Sequence, residues 1–227
     1  MRALVAVWIA AEAWAGVPDG YRQAATCPFG SSGSLQLLMD ARITAATLAA
    51  HWGSGEDGLT PGPARPALLR WLSGPGEPKA SLDLGCPLAR LSTRGAVPGE
   101  GPRVTVDASV GMGSYNGPMT HWVVAEAGQL AWAKARNPDG TATELTVMDS
   151  LRTGWKRRPR RDGSLDVLEL ACRPVDKPAK PGEVVFWLNF YTYHFDGQGW
   201  TRALARRPGD WSNGENPFPT IGFPRSR

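Results

Sequence analysis

The chain has 227 residues, a formal net charge of +4 and 42% hydrophobic residues, among them 10 tryptophans. This composition excludes an intrinsically disordered chain, which would be poor in aromatic residues, and the mild basicity is not by itself a nucleic-acid-binding signature. The 27 glycines and 20 prolines require many turns. The length suits one domain, or one domain with a small N-terminal lobe.

The first fifteen residues predict an export signal. Arg2 gives a positive start, residues 3–11 form an apolar run, and Ala13-Trp14-Ala15 is a small-x-small cleavage site before Gly16. The alternative is an N-terminal helix of a cytosolic protein, but apolar residues would cover all sides of that helix. The run is about half the ~20 residues that span a bilayer. We therefore predict a periplasmic or secreted protein with no transmembrane segment in the mature chain.

The next segment, residues 16–102, is rich in glycine and proline, and we predict a loop-rich segment that packs on the core. Apolar residues alternate over 35–43, which predicts a half-buried strand. Thr44 is then the N-cap of a short helix through Ala50, although one helix over the whole stretch is the alternative. Residues 66–72 predict two helical turns with proline near the first position.

Residues 103–227 predict an antiparallel β domain, because apolar and polar residues alternate between tight-turn signals such as Asp162-Gly163 and Asp196-Gly197. Residues 103–205 predict a meander of about seven strands, as in a sandwich or small barrel. The strongest strand signal is residues 184–195, where β-branched and aromatic residues stand at nearly every position. The expected fold class is mainly β.

This strand has aromatic residues on both faces. Trp187, Tyr191 and Tyr193 share one face, and Phe186 and Phe190 lie on the other. The strand is therefore either central in a two-sided core, or it presents one aromatic face to a ligand or to the N-terminal segment. Trp187, Tyr191 and Tyr193 are accordingly candidate ligand-binding residues.

A basic run covers residues 156–161, and its arginines are the second candidate ligand-binding group: Arg157, Arg158, Arg160 and Arg161. In an exported protein such a run suits an anionic polysaccharide, lipid head groups or nucleic acid. The alternative is a solvated hairpin tip. No aromatic residue is interleaved within the run, so specific nucleic-acid binding is not expected.

Three cysteines, Cys27, Cys86 and Cys172, allow three disulfide pairings. We favour Cys27 with Cys86, because this bond closes a loop of the N-terminal half and contributes about 4 kcal/mol on the chain-entropy model. Three buried thiols are the alternative. No pair has CxxC spacing, so neither zinc nor redox chemistry is indicated, and no metal or other cofactor is expected.

Catalytic signals are weak. His51, His121 and His194 are far apart in the sequence and have no metal-ligand spacing. No spacing selects an acid/base pair from the carboxylates, among which Asp149, Asp166 and Glu169 are examples. We therefore assign no catalytic residue. A histidine within hydrogen-bond reach of a carboxylate in an open pocket would favour a hydrolase.

Several short motifs in the second half resemble a group of exported bacterial proteins of unknown function. The motifs are Tyr115-Asn116-Gly117-Pro118, Ser150-Leu151 with Trp155-Lys156, Cys172-Arg173-Pro174, Tyr193 to Gly197 with Trp200, Gly209-Asp210-Trp211, Phe218-Pro219 and Phe223-Pro224. The resemblance covers residues 109–223. It implies an exported β-rich domain and brings no activity, cofactor or site residue.

These observations predict an exported envelope protein that is a non-catalytic binding module for a polysaccharide, a polyanion or a partner protein. Envelope polysaccharide and another envelope protein are the candidate partners. One alternative is a periplasmic hydrolase that uses carboxylates or His121. The other is a structural envelope component, which would have no concave pocket.

Overall fold

The structure is a computed structural model, and it describes most of the chain after residue 15. The described residues are 16–30, 33–52, 59–74, 78–92, 104–109, 117–150, 152–160, 162, 164–175, 186–209 and 223. The predicted export signal and Arg161 lie outside the described residues.

The described chain is mainly β, with one short helix. Its strands are β1 (Tyr21–Phe29), β2 (Gly33–Asp40), β3 (Leu68–Leu72), β4 (Ala80–Asp83), β5 (Ala89–Ser92), β6 (Thr105–Ser109), β7 (Pro118–Glu126), β8 (Gln129–Trp132), β9 (Lys134–Arg136), β10 (Ala142–Glu144), β11 (Thr146–Met148), β12 (Thr153–Pro159), β13 (Leu165–Pro174), β14 (Phe186–Phe195) and β15 (Trp200–Gly209). The helix, α1, is Ala45–His51. The predicted fold class is confirmed.

The strands form three sheets. The first has the order β1-β2-β3-β4, the second β10-β9-β15-β14-β13-β12, and the third β11-β7-β6-β5 with β8 paired to β7. Every pair is antiparallel except β15 with β9. None of these sheets closes on itself within the described residues.

The N-terminal segment contains more strands than its glycine and proline content suggests. The predicted strand is present as β2, but it ends at Asp40, and residues 35–40 are all buried and not half-buried. The predicted cap is confirmed because the side chain of Thr44 accepts a hydrogen bond from the main-chain N of Thr47 at 3.1 Å. The predicted helical turns over residues 66–72 are wrong. Residues 68–72 form β3, whose main chain pairs with β2 on one side and β4 on the other. Long-range pairing here overrides a weak local helix signal.

α1 has seven residues. No helix in the part of the chain that the structure describes is long and apolar enough to cross a membrane.

The first core cluster joins the N-terminal sheet to the third sheet. Buried Leu35, Leu37 and Leu69 from the first sheet pack in one cluster with Val106 and Val123 from the third. The N-terminal segment also gives the third sheet one of its two edge strands, since β5 pairs with β6. Residues on both sides of position 103 therefore share one hydrophobic core.

Two further clusters lie on opposite faces of β14. Tyr193 packs with Trp122 and Trp200 on one face, whereas Leu188 and Phe190 pack in a separate cluster on the other. β14 pairs with β13 over residues 186–194 and with β15 over its full length. It is therefore central in a two-sided core, as one of the two interpretations of its sequence predicts.

The predicted disulfide between Cys27 and Cys86 is not formed, since all three cysteines are buried and none is disulfide-bonded. Cys27 packs in the first core cluster, and the Cys86 thiol donates to the main-chain oxygen of Leu88 at 3.5 Å. Burial raises the pKa of the Cys172 thiol to about 11. The thiols act as small apolar groups in separate places, which sequence spacing cannot reveal.

Gly117 is expected to be sensitive to substitution. A Cβ atom at this position would overlap the main-chain carbonyl oxygen of Asp149, whereas a Cβ at Gly199 would meet nothing within 4 Å. We expect Gly117→Ala to lower the free energy of unfolding by about 2 kcal/mol or more, because the backbone at β7 must move. Urea unfolding monitored by tryptophan fluorescence measures this change. Gly199→Ala is the control, and equal effects of the two substitutions would contradict the packing of Gly117 against Asp149.

Candidate ligand-binding site

Aromatic and arginine side chains lie together on one face of the second sheet. We call Trp187, Tyr191, Arg202 and Arg206 the aromatic–arginine face. The Cζ atom of Arg202 lies 4.4 Å from the ring centroid of Tyr191, and that of Arg206 lies 5.8 Å from the ring centroid of Trp187. These distances are typical of cation–π pairs. Trp187 is 37% exposed, so the face is open to solvent at its end.

The strand register explains this arrangement. Asn189 of β14 stands opposite Arg206 of β15, and Tyr193 stands opposite Arg202. Because side chains alternate along a strand, each arginine is a diagonal neighbour of the aromatic residue two positions away. Arg206 Nε also donates to Asn189 Oδ1 at 2.8 Å. The asparagine thereby fixes the guanidinium beside Trp187.

A cavity of about 410 Å³ adjoins the aromatic–arginine face. Tyr191 and Arg202 line it together with Glu169, Tyr193 and Thr143. Within the described structure, Thr143 Oγ1 and Arg202 Nε are buried and have no hydrogen-bond partner. Since buried polar atoms are nearly always satisfied by protein, water or ligand, these two groups are available to an occupant of the cavity.

Glu169 is the buried acid of this cavity, with 8% of its surface exposed. Tyr193 Oη donates to Glu169 Oε2 at 3.4 Å, which is a long hydrogen bond. Burial raises the pKa of Glu169 to about 7, although the main chain of Met148, the Tyr193 hydroxyl and the charges of Arg202 and Arg173 lower it. The cavity therefore gains a negative charge as the pH rises through neutrality.

The basic run is divided between the two faces of β12. The Cζ atom of Arg157 lies 5.9 Å from the ring centroid of Trp122, and Arg157 borders a separate cavity of about 440 Å³ with Asp107 and Asp149. Arg158 points to the opposite face, since successive side chains alternate along a strand. The three described arginines of the run, Arg157, Arg158 and Arg160, therefore do not form one basic loop surface.

Arg158 and Arg160 converge on Asp166, whose side chain is fully buried. Arg158 donates to Asp166 Oδ2 from Nε at 3.1 Å and from Nη2 at 2.6 Å, and Arg160 Nε donates to Oδ1 at 2.8 Å. His194 Nδ1 lies 3.0 Å from the same Oδ1. We call these four residues the Asp166 cluster. Burial by itself would raise the pKa of Asp166, but the hydrogen bonds from its three partners hold it below its usual value.

The predicted ligand-binding residues thus occupy different places. Tyr191 and Tyr193 line one cavity, with Trp187 on the same face of the sheet, whereas the Asp166 cluster lies on the other face. Tyr193 is 3% exposed and serves mainly as a core residue. The three carboxylates considered from sequence are also dispersed, because Asp149, Asp166 and Glu169 each belong to a different site.

Sequence reasoning did not identify Arg202 and Arg206 as site residues. They stand two strand positions either side of Leu204, so period-two alternation places all three side chains on one face of β15. The missing information was the register of β15 against β14, which decides that this face meets Trp187 and Tyr191.

The histidines differ in their surroundings. His121 Nδ1 lies 3.1 Å from Thr146 Oγ1, its ring stacks on Trp132 with 4.7 Å between centroids, and burial lowers its pKa. Of the three histidines, His194 is the one whose ring nitrogen has a carboxylate hydrogen-bond partner in the described structure. No group of three His, Cys, Asp or Glu among the described residues is placed to hold a metal ion.

Comparisons with protein-family models, with curated proteins and with solved structures give no match. The resemblance to exported bacterial proteins therefore stays a prediction.

Replacing Glu169 tests the electrostatics of its cavity. A carboxyl group whose pKa rises from 4.5 to about 7 on folding favours the folded state at low pH, and this contribution is lost as the pH rises from 4.5 through about 7. We expect Glu169→Gln to remove this loss. Across this pH range the free energy of unfolding of the variant, relative to that of the wild type, therefore increases by up to about 3 kcal/mol.

Urea unfolding at several pH values measures the difference between the two proteins. The two curves must be subtracted because His121 also contributes to the pH dependence. Its lowered pKa makes the folded state more stable as the pH rises over an overlapping range, which is opposite to the effect of Glu169. Parallel curves for wild type and Glu169→Gln would contradict a carboxyl group that titrates near neutrality.

Proposed function

We propose that the protein is an exported, non-catalytic binding module for an acidic polysaccharide, which it binds along the aromatic–arginine face. The observation that carries this proposal is the pairing of each aromatic ring with an arginine, Trp187 with Arg206 and Tyr191 with Arg202, on an exposed part of the sheet. Export belongs to the proposal through the N-terminal sequence, and an envelope polysaccharide is the expected class of ligand.

Ring and guanidinium groups recognise different parts of a uronic acid polymer. An exposed aromatic ring offers a flat apolar surface to a sugar ring. The guanidinium beside it offers paired donors to a carboxylate. Attraction between opposite charges alone does not require aromatic rings. The pairing of rings with guanidinium groups therefore supports a saccharide ligand over an unspecific polyanion.

The spacing of the two pairs supports a polymer. Trp187 and Tyr191 are four residues apart on one strand, which corresponds to about 14 Å along the sheet. One sugar ring cannot contact both aromatic residues, whereas an extended oligosaccharide can. The cavity at the Tyr191 end supplies the buried donors of Thr143 and Arg202 to the group bound there.

Substitution of adjacent arginines tests the proposal. Arg206 and Arg207 are neighbours on β15 and carry the same charge, but only Arg206 lies on the aromatic–arginine face, because Arg207 packs over Phe190 on the opposite side. We expect Arg206→Gln to weaken binding to polygalacturonate by about fivefold, the equivalent of about 1 kcal/mol. Affinity electrophoresis in gels that contain polygalacturonate or neutral dextran measures this effect.

Arg207→Gln is the matched control, since it removes the same net charge. We expect Trp187→Ala to weaken binding as well, and we expect oligomers of galacturonate to bind more tightly than the monosaccharide. Equal effects of Arg206→Gln and Arg207→Gln would show that net charge alone governs binding, and no retardation by polygalacturonate would contradict the proposal.

A hydrolase is the second candidate function, because His194 contacts the carboxylate of Asp166 beside an open cavity. With a proton on Nδ1, the imidazole Nε2 is able to accept a proton from water as the water attacks an ester carbonyl. We expect such an enzyme to hydrolyse p-nitrophenyl butanoate at a rate that His194→Gln lowers by about 100-fold. Equal rates for the two proteins would contradict this candidate.

A further inference from the structure

The Asp166 cluster forms one end of a cavity whose other end is apolar. The cavity has a volume of about 380 Å³, within the range of small-molecule sites. Arg158, Arg160 and His194 line its charged end, and Phe190 and Phe223 line its apolar end. Most of its lining lies on the face of the second sheet opposite to the aromatic–arginine face, and Arg202 borders both cavities.

The change in polarity follows the residue order of β14. Every second residue of a strand lies on the same face, at intervals of about 7 Å. One face of β14 therefore carries His194, Thr192 and Phe190. The cavity therefore runs about 14 Å from an imidazole, past a hydroxyl, to a phenyl ring. Phe190 and Phe223 pack edge to face, with 5.3 Å between their centroids.

Small residues on β15 leave the space that forms the cavity. Ala203 stands opposite Thr192, and Ala205 stands opposite Phe190. On the other side of β14, Leu168 and Leu170 fill the corresponding positions of β13. The groove is thus open along the β15 side of β14 and closed along the β13 side.

The charged end has an excess of positive charge. Two guanidinium groups face one carboxylate, so the Asp166 cluster carries one net positive charge when His194 is neutral and two when it is protonated. Arg160 uses only Nε on Asp166, and the described contacts give its two Nη groups no hydrogen-bond partner. About two fifths of each arginine side chain is exposed, at 43% for Arg158 and 38% for Arg160. The two Nη groups of Arg160 are therefore able to donate hydrogen bonds to a bound oxyanion.

We infer that this cavity is a second binding site, which takes a single-chain amphiphile with an oxyanion head group. The head group lies against Arg160 and Arg158, and the hydrocarbon chain extends past Thr192 to Phe190 and Phe223. A small inorganic anion would leave the apolar end empty, and a neutral alcohol would leave the guanidinium donors unused. Both halves of the cavity therefore select the same class of ligand.

Isothermal titration calorimetry of the full-length protein tests this inference with four probes: decanoate, decyl phosphate, 1-decanol and acetate. We expect decanoate or decyl phosphate to bind one molecule per chain, at least about tenfold more tightly than 1-decanol and acetate. Tighter binding of decyl phosphate would identify phosphate as the preferred head group, and tighter binding of decanoate would identify carboxylate. If neither amphiphilic anion binds more tightly than 1-decanol and acetate, the inference is wrong.

Two neighbouring residues of β15 give a matched pair of variants. Ala203→Phe fills the groove beside Thr192. Leu204 also borders the cavity, but its side chain is 48% exposed and alternation directs it to the other face of the strand, so Leu204→Phe leaves the groove open. We expect Ala203→Phe to weaken binding of the preferred anion by about tenfold and Leu204→Phe to leave it unchanged. Equal effects would overturn the location of the site.

Arg160→Gln tests the head-group end while Arg158 and His194 remain bound to Asp166. We expect this variant to weaken binding of the amphiphilic anion and to leave binding of 1-decanol unchanged. Arg206→Gln, on the opposite face, is expected to have no effect on either probe, which separates this site from the proposed polysaccharide site. An effect of Arg206→Gln equal to that of Arg160→Gln would contradict two separate sites.

Discussion

The pairing of β14 with β13 on one side and β15 on the other is the constraint on which the rest of the structure depends. The register between these strands decides which residues share a face, and residues of β14 and β15 contribute to both proposed binding sites. A shift of one residue would move Tyr191 and His194 to the opposite faces. Burial of β14 on both faces fixes this register, because Tyr193 belongs to one core cluster and Phe190 to another.

Sequence patterns predicted those parts of the fold that depend on local chemistry. The cap at Thr44 and the strand at 184–195 follow from the side chains of consecutive residues, and both are present. Residues 66–72 were misassigned because their structure depends on partners in β2 and β4, which no local pattern contains. The residues of the aromatic–arginine face show the same division between local and long-range information. Trp187 and Tyr191 were selected from their own strand, whereas Arg202 and Arg206 required knowledge of which strand lies beside β14.

The basic run shows why local composition does not predict the arrangement of its charges. Five cations within six residues read as one charged loop, but alternation along β12 sends Arg157 and Arg158 to opposite faces. Asp166 then changes the role of the arginines on its side. A fully buried carboxylate is costly unless it is hydrogen-bonded, and each of its oxygens receives two donors here. The carboxylate therefore orders two side chains that would otherwise be mobile in solvent, and it gives a surface charge run a defined geometry.

Two acids on β13 show how neighbours decide the behaviour of a buried carboxyl group. Asp166 and Glu169 are both buried and lie three residues apart, so they face opposite sides of the sheet. Burial opposes ionisation of each, but Asp166 has two guanidinium partners and a histidine, which lower its pKa. Glu169 has a long hydrogen bond from Tyr193, a main-chain hydrogen bond from Met148 and no direct ion pair in the described structure, so burial dominates and its pKa rises to about 7. Asp166 is therefore ionised at neutral pH, whereas Glu169, beside the aromatic–arginine face, gains its charge there. A polyanion on that face meets a neutral carboxyl group below pH 7 and a repelling carboxylate above it. The same strand thus carries one carboxylate that is ionised throughout the neutral range and one whose ionisation depends on pH.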